Sequence, residues 1–168
     1  FRSIFFDTCI WIELCSVKSP STANEIRQAK EASALLKDCM DKGEKIITCD
    51  EHLLEIISSV QKIRMKEFNR NAKVNGNAGC GNVKEYRLQN DFKFTQNLCK
   101  SVIQDVMHFS EESAGPCGYS IDDVLAQIHL ADINDCIYFE YCQKNNIEFY
   151  TFDKDITNLG ANIHIHVI

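Results

Sequence analysis

The sequence predicts an α/β fold in three layers, with a short parallel β-sheet between two layers of helices. Short apolar runs that are typical of strands alternate along the chain with longer segments of helical periodicity. Because the connections between these strands are helical, we expect the strands to be parallel and covered by helices on both faces. A length of 168 residues with 45% hydrophobic side chains suits a single domain with a substantial core.

The chain begins with a predicted strand that runs directly into a helix. SIFF (3–6) is a short apolar run, and Asp7 follows at its end. Residues 22–43 form the next predicted helix, which begins at a threonine cap and ends at a glycine. The apolar stripe predicted for this helix contains Ile26, Ala29, Leu36 and Met40.

The middle of the chain contains a strand, a long helix and a segment without clear periodicity. KIIT (45–48) is the second predicted strand, and residues 49–68 are predicted to be helical. The Asn-rich and Gly-rich sequence of residues 69–82 predicts a flexible loop. Helical periodicity returns over residues 90–112, so we interpret approximately residues 69–118 as a helical and loop insertion in a single domain.

The last third of the chain returns to alternating helices and strands. GPCG (115–118) predicts a turn, and residues 120–130 and 134–145 predict two helices. IEFYTF (147–152) and NIHIHVI (162–168) are the last two predicted strands. These elements complete an alternating pattern with four predicted strands.

Charge is distributed unevenly along the chain. The formal net charge is −6, but residues 1–56 carry −3, residues 57–100 carry +6 and residues 101–168 carry −9. A central group of cations beside a carboxylate-rich region is the arrangement that a metal-dependent nuclease needs, because cations hold phosphates and carboxylates hold divalent metal ions. The simpler interpretation of the central cations alone is a solvated helix face.

Four carboxylates are predicted to meet at one edge of the sheet. Ligands of parallel α/β sheets collect at the carboxyl ends of the strands, where the first turns of the connecting helices also lie. Oxygen ligands of this kind suit Mg²⁺ or Mn²⁺. The four residues, two after strands and two near helix starts, are Asp7, Glu55, Asp135 and Asp153.

Each of these four residues also has a structural interpretation. Asp7 could serve only as a helix cap, and Asp153 could serve only in a turn. Glu51 lies one helical turn before Glu55 and is its main competitor for the site. Similarly, Asp132 lies three residues before Asp135, and either acid could interact only with the helix dipole.

Three segments together resemble the PIN-domain family of VapC-type ribonucleases. FFDTCIWIEL resembles the first strand and helix of that family, and CDEHLLEII resembles its helix start with an embedded acid. NDCIYFEYCQKNNIEFYTFDKDI resembles its most recognisable stretch, an acid that opens a helix followed by a strand that ends in Thr-x-Asp. The resemblance covers roughly residues 1–60 and 120–168.

The resemblance implies an activity, a metal and partners. It implies a PIN-like domain that hydrolyses RNA with Mg²⁺ or Mn²⁺ and leaves a 5′-phosphate. The implied acidic quartet is Asp7, Glu55, Asp135 and Asp153, with Thr151 as a polar neighbour on the substrate side. A cognate antitoxin protein and a second copy of the chain become candidate partners. A PIN-like module that binds RNA or a protein without cutting it is the alternative interpretation.

The central cations are the expected RNA contacts. Lys62, Lys66 and Arg70 follow Glu55 along one helix and its exit, so they can lead a strand away from the acidic edge.

The cysteines and the hydropathy bear on the location of the protein. The nine cysteines include no CxxC pair and no zinc spacing, and most lie among apolar neighbours, as reduced thiols do in a cytoplasmic protein. No run approaches the ~18 apolar residues of a membrane span. We therefore expect a cytoplasmic protein without a membrane partner.

Overall fold

A single parallel sheet organises the computed structural model, which describes residues 2–116 and 119–168. The strands lie in the order β3-β2-β1-β4-β5, and every neighbouring pair is parallel. The strands are β1 (Ser3–Phe6), β2 (Lys45–Thr48), β3 (Glu111–Glu112), β4 (Ile147–Thr151) and β5 (Ile165–Val167). The predicted α/β fold with a short parallel central sheet is confirmed. The two-residue strand β3 was not predicted, because two consecutive glutamates carry no strand signal.

Helices connect the strands, and some of them begin at recognisable side-chain caps. Thr22 forms a complete capping box with Glu25 at the start of the second helix, and Ser120 accepts a hydrogen bond from the Asp123 amide at the start of the sixth. The helices are α1 (Thr8–Leu14), α2 (Ala23–Asp41), α3 (Asp50–Val74), α4 (Val83–Tyr86), α5 (Phe92–Phe109), α6 (Ile121–Gln127) and α7 (Ile133–Asn145), and a 3-10 helix spans Lys154–Leu159.

The core lies on both faces of the sheet, as a three-layer fold requires. Ile4 and Phe6 point into a cluster shared with α1, α3 and α5, whereas Phe5 points into a second cluster shared with α7. All three side chains are fully buried, because successive residues of a strand face opposite sides of the sheet. The sheet therefore has a helical layer on each face.

Residues 69–118, which we interpreted as an insertion, contribute to the main core. Val102 and Val106 of α5 are buried in the same cluster as Ile4. Helix α3 continues to Val74, six residues beyond its predicted end at residue 68. The helix extends this far because Ala72 is buried there by residues distant in the chain. The asparagine content of the segment reflects only its local propensity and gives no sign of that tertiary contact.

The apolar stripe predicted for α2 is partly wrong. Ile26 and Met40 are 46% and 58% exposed, whereas Ala32 and Cys39 are the buried positions of this helix. Small side chains on that face allow α2 to pack closely against α1, and the larger ones remain on the outside. Of the predicted turn at residues 115–118, the last two residues lie outside the described part of the chain.

No helix within residues 2–116 and 119–168 combines the length and the hydropathy needed to cross a membrane. The eight cysteines that belong to these residues are all free thiols.

Candidate metal centre

Asp7 lies where β1 ends and α1 begins, at the carboxyl edge of the sheet. Its Oδ1 accepts a hydrogen bond of 2.7 Å from the Thr8 amide, and its Oδ2 accepts one of 2.6 Å from the Thr151 hydroxyl. The side chain is buried, and burial raises the pKa of Asp7, although the hydrogen bond from Thr151 opposes that rise. The carboxylate is therefore held in one orientation from both sides.

Glu55 reaches the same edge from the second turn of α3. Its Oε1 accepts a hydrogen bond of 3.0 Å from the Thr8 hydroxyl, and its Oε2 accepts one of 2.8 Å from the Tyr138 hydroxyl. Burial raises the pKa of Glu55, and the hydrogen bond from Tyr138 opposes that rise. Glu51, its competitor, is exposed and lies instead against Gly115, so the structure places Glu55 in the site.

Asp135 lies in the first turn of α7 and is buried. Burial and repulsion from Asp7, Asp153 and Glu55 raise the pKa of Asp135 to about 8. No hydrogen bond from any described residue compensates for this cost, in contrast to Asp7 and Glu55. Asp132 occupies the N-cap position of the same helix without a side-chain capping hydrogen bond, and it is exposed but also lines the cavity at this edge.

Asp153 follows β4 and begins the 3-10 helix. Its Oδ1 accepts a hydrogen bond of 2.8 Å from the Asp155 amide, and its own amide donates one of 2.9 Å to the Thr151 hydroxyl. Asp153 is exposed at the cavity, whereas Thr151 is fully buried. Thr151 is thus a polar neighbour of the quartet, but its hydroxyl is fully buried and holds Asp7, so in this structure it is not exposed to a substrate.

One cavity of about 500 Å³ joins these side chains, and we call it the acidic cavity. Lys18 and Lys62 lie on its walls beside the carboxylates, and Lys18 also pairs with Glu25 at 3.2 Å. Lys66 and Arg70 lie outside it, exposed farther along α3. The acids that line it are Asp7, Glu13, Glu55, Asp132, Asp135 and Asp153.

Three residues of this site were missed by the sequence reasoning. Thr8 and Tyr138 orient Glu55, and the Cys9 thiol lies 3.5 Å from Asp7 Oδ2. Burial raises the pKa of Cys9 to about 12, so the thiol is neutral at physiological pH. One sequence pattern could have identified Tyr138, because it follows Asp135 by three residues and therefore lies on the same face of that helix. Thr8 and Cys9 simply follow Asp7 in the chain.

The carboxylates provide the donor chemistry for a hard divalent cation, but they are not arranged as a preformed cage. Among residues 2–116 and 119–168, no three His, Cys, Asp or Glu side chains are placed to hold a metal ion together. The buried, uncompensated Asp135 is the observation that favours a cation, because a positive charge would remove the repulsion around it.

Comparisons of the chain with protein-family models, with curated proteins and with solved structures find no match. The residues offer clustered carboxylates, two of them oriented by hydroxyl donors, with lysines on the same walls.

The raised pKa of Asp135 predicts that the metal-free protein loses stability as the pH rises. The folded-state pKa of about 8 lies above the ordinary value of 3.8, so the folded state binds the extra proton between these values. The free energy of unfolding should therefore fall as the pH rises from about 4 to about 8, by on the order of 2 kcal/mol after solvent screening. Urea denaturation of metal-free protein at several pH values measures this loss.

The Asp135→Asn variant should flatten that pH dependence, since it removes the titrating group. Asp155→Asn is the matched control, because Asp155 is exposed and does not line the acidic cavity. An equal pH slope in wild type and Asp135→Asn would contradict the assignment of the repulsion to Asp135.

Proposed function

We propose that this chain is a metal-dependent endoribonuclease of the PIN type that hydrolyses RNA phosphodiester bonds. One observation carries the proposal: carboxylates from four separate segments meet in a single cavity at the carboxyl edge of a parallel sheet. They are contributed by the end of β1, by α3, by α7 and by the residues after β4. Structural packing alone gives no reason to collect like charges from four distant segments.

The residues of the site support this activity in distinct roles. When bound, Mg²⁺ or Mn²⁺ would activate a water molecule and stabilise negative charge on the scissile phosphate. Asp7 and Glu55 are oriented before any ligand arrives, whereas Asp135 holds a proton that it must release when a cation enters. Lys62, on the wall of the acidic cavity, is placed to hold a phosphate of the substrate.

A row of cations leads away from the acidic cavity along α3. The first of these residues follows Glu55 by seven positions and the others follow at intervals of three or four, so the row lies on the same face of the helix as Glu55. From Glu55 to the end of the row, the helix rises by roughly 27 Å, enough for several nucleotides. We call this row the basic stripe, and it consists of Lys62, Lys66, Arg70 and Lys73.

The basic stripe differs from most of the other cations because it is free of ion pairs. Eight of the 18 lysines and arginines pair with carboxylates, for example Lys37 with Asp41 and Lys42 with Asp38. Ten have no carboxylate partner among the described residues, and eight of these ten lie within residues 62–100. Unneutralised cations beside an acidic cavity are suited to a polyanionic strand.

Divalent metal should stabilise the protein against unfolding. A cation that binds only the folded state should add about 2.7 kcal/mol to the free energy of unfolding at a hundredfold excess over its Kd. Thermal denaturation with and without Mn²⁺ measures this effect. The effect should disappear in the Asp7→Asn, Asp135→Asn double variant. A shift that persisted there would place the metal at another site, such as the pair His164 and His166 near Glu148.

The direct test of the activity is incubation of the purified protein with total RNA, with and without Mn²⁺, followed by mapping of the new ends. Cleavage that depends on Mn²⁺ and leaves 5′-phosphates supports the proposal. Intact RNA under both conditions contradicts it.

A second candidate function is a PIN-like module that binds RNA or a protein without cutting it. The observation that favours this alternative is that no three potential ligands in the described residues converge as a metal cage. The RNA incubation separates the two, because a binding module retains affinity for RNA but produces no new ends.

The partners and the location belong to the same proposal. RNA is the proposed substrate, and a cognate antitoxin or a second copy of the chain remains a candidate protein partner. Eight free thiols in the described part of the chain support the cytoplasm as the proposed location, since thiols remain reduced there.

A further inference from the structure

The acidic cavity extends beyond its carboxylates into a region between α1, α2 and α3. A metal ion with six water molecules would fill roughly 200 Å³ of the cavity's volume of about 500 Å³, since each water takes about 30 Å³. We call the remaining region the outer lobe, and it is lined by Ile12, Glu13, Gln28, Ser59 and Ile63. The outer lobe therefore has room for a further part of the substrate.

The outer lobe lies on the face of α3 that also carries Glu55 and the basic stripe. Ser59 follows Glu55 by four residues and precedes Lys62 by three, so these three side chains lie on one face of the helix. The helix rises by roughly 6 Å from Glu55 to Ser59 and by roughly 10 Å from Glu55 to Lys62. An RNA strand that leaves the carboxylates for the basic stripe therefore passes the outer lobe first.

The polar side chains of the outer lobe have hydrogen-bonding capacity to spare. Gln28 and Ser59 are half-buried, and neither side chain hydrogen-bonds to another described residue. Glu13 is also half-buried and accepts no hydrogen bond from a described residue. Burial raises the pKa of Glu13, and the charge of Lys18 opposes that rise. A ligand that supplies partners to these three side chains would therefore gain hydrogen bonds that the protein itself does not make.

An apolar wall and a free cation accompany these polar groups. Ile12 is buried and Ile63 is half-buried, and both belong to the main core, so the wall that they form is fixed. Lys62 lies on the wall of the same cavity and pairs with no carboxylate among the described residues. An apolar wall, hydrogen-bonding groups and a cation match the face, the edge and the phosphate of one nucleotide.

The carboxylate of Glu13 favours some bases over others. An ionised carboxylate only accepts hydrogen bonds, so it favours a base edge that carries N–H donors. Adenine, cytosine and guanine each carry an exocyclic amino group, whereas uracil carries two carbonyl oxygens and a single N–H donor. A uracil carbonyl opposite Glu13 would place two acceptors together without a donor, which weakens binding.

We propose that the outer lobe binds the base of the nucleotide that keeps the scissile phosphate, and that Glu13, with Gln28 and Ser59, selects bases with an exocyclic amino group over uracil. The inference rests on the proposed function for its RNA, but base selection by the outer lobe can be tested without cleavage.

The first test titrates metal-free protein with adenosine, guanosine, cytidine and uridine, which carry no phosphate and need no metal. The side-chain amide of Gln28 reports on the outer lobe in a two-dimensional nitrogen–proton NMR spectrum, and its signal is identified by its absence from Gln28→Ala. We expect the three nucleosides with an amino group to shift this signal at millimolar concentration, and uridine to bind about tenfold more weakly. No shift with any nucleoside, or uridine binding as tight as that of the others, would overturn the proposal.

The second test replaces Glu13 by glutamine, which keeps the volume of the side chain but adds an N–H donor. A uracil carbonyl gains a partner in Glu13→Gln, so the ratio of affinities between the amino-bearing nucleosides and uridine should fall from about ten to about one. Glu112→Gln is the matched control, since Glu112 is exposed on β3 outside the acidic cavity, and it should keep the wild-type ratio. An unchanged ratio in Glu13→Gln, or an equal loss in Glu112→Gln, would overturn the proposal.

The mapped RNA ends separate this proposal from the proposed nuclease. New 5′ ends that begin with adenosine, cytidine or guanosine, and only rarely with uridine, would support both. Mn²⁺-dependent cuts before all four nucleotides alike would support the nuclease and contradict the outer lobe. Selective nucleoside binding that is lost in Glu13→Gln, by a protein that never cleaves RNA, would support base selection by the outer lobe and contradict the nuclease.

Discussion

Replacement of Asp7 by asparagine should reduce RNA cleavage by at least about a thousandfold while the protein stays folded. Asp7 and Asp135 are the two buried acids of the quartet, and asparagine at position 7 keeps the volume of Asp7 but removes the charge that a cation needs. Because the buried carboxylate repels its neighbours, the metal-free variant should melt at the same temperature as wild type or higher. Asp153→Asn should also abolish cleavage, since it removes a charged ligand without loss of volume.

Cleavage rates and melting curves of the same preparations check this result. Asp155→Asn is the matched control, because it removes an exposed carboxylate two residues from Asp153 and outside the acidic cavity. If Asp7→Asn or Asp153→Asn cleaves RNA at the wild-type rate with metal present, the site is assigned to the wrong residues.

Replacement of Lys62, Lys66 and Arg70 together by glutamine should weaken RNA binding and flatten its dependence on salt. Each lost phosphate contact should reduce the slope of log affinity against log salt by roughly 0.7, so three contacts should reduce it by roughly 2. The affinity for Mn²⁺ should change little, because the carboxylates that would hold the metal are retained. Filter binding at several salt concentrations, together with a Mn²⁺ titration, measures both quantities.

A second triple variant controls for the change in net charge. Arg27, Lys37 and Lys42 are paired with carboxylates on or beside α2, and their replacement by glutamine removes the same three charges. This control should retain most of the salt slope. Equal loss in both triple variants would mean that net charge, and not the basic stripe, attracts RNA. No loss in either would support the interpretation of the stripe as a solvated helix face.

The strands and helix starts that carry the acids were predictable because their signals are local. SIFF and KIIT are strands with the predicted bounds, and Asp7 follows the first of them directly. Asp135 lies in the first turn of α7, and Asp153 follows β4, both as predicted. In a parallel sheet, the ends of strands and the starts of the connecting helices lie at the same carboxyl edge, independently of the structure of the other segments.

The segment between residues 69 and 118 was less predictable because its structure depends on distant partners. The asparagine-rich first residues of this segment are part of α3, since Ala72 is buried there and the Asn69 side chain hydrogen-bonds to the Cys80 backbone. Its later helix, α5, supplies Val102 and Val106 to the main core. A local pattern reports propensity, but it does not report which surface a segment will cover.

Sequence alone determined the fold class, the strand ends and the charge asymmetry of this protein, because each depends on periodicity or on neighbouring residues. Only the tertiary structure showed that Glu55, rather than Glu51, lines the acidic cavity. It also showed that Thr151 donates a hydrogen bond to Asp7 and that Tyr138 donates one to Glu55. Those contacts join residues far apart in the chain: Thr8 and Glu55 are separated by 47 positions, and Glu55 and Tyr138 by 83. The rotation of α3 about its axis, which directs Glu55 and not Glu51 into the acidic cavity, is set by packing against the sheet and α5. Packing between residues so far apart leaves no local pattern in the sequence.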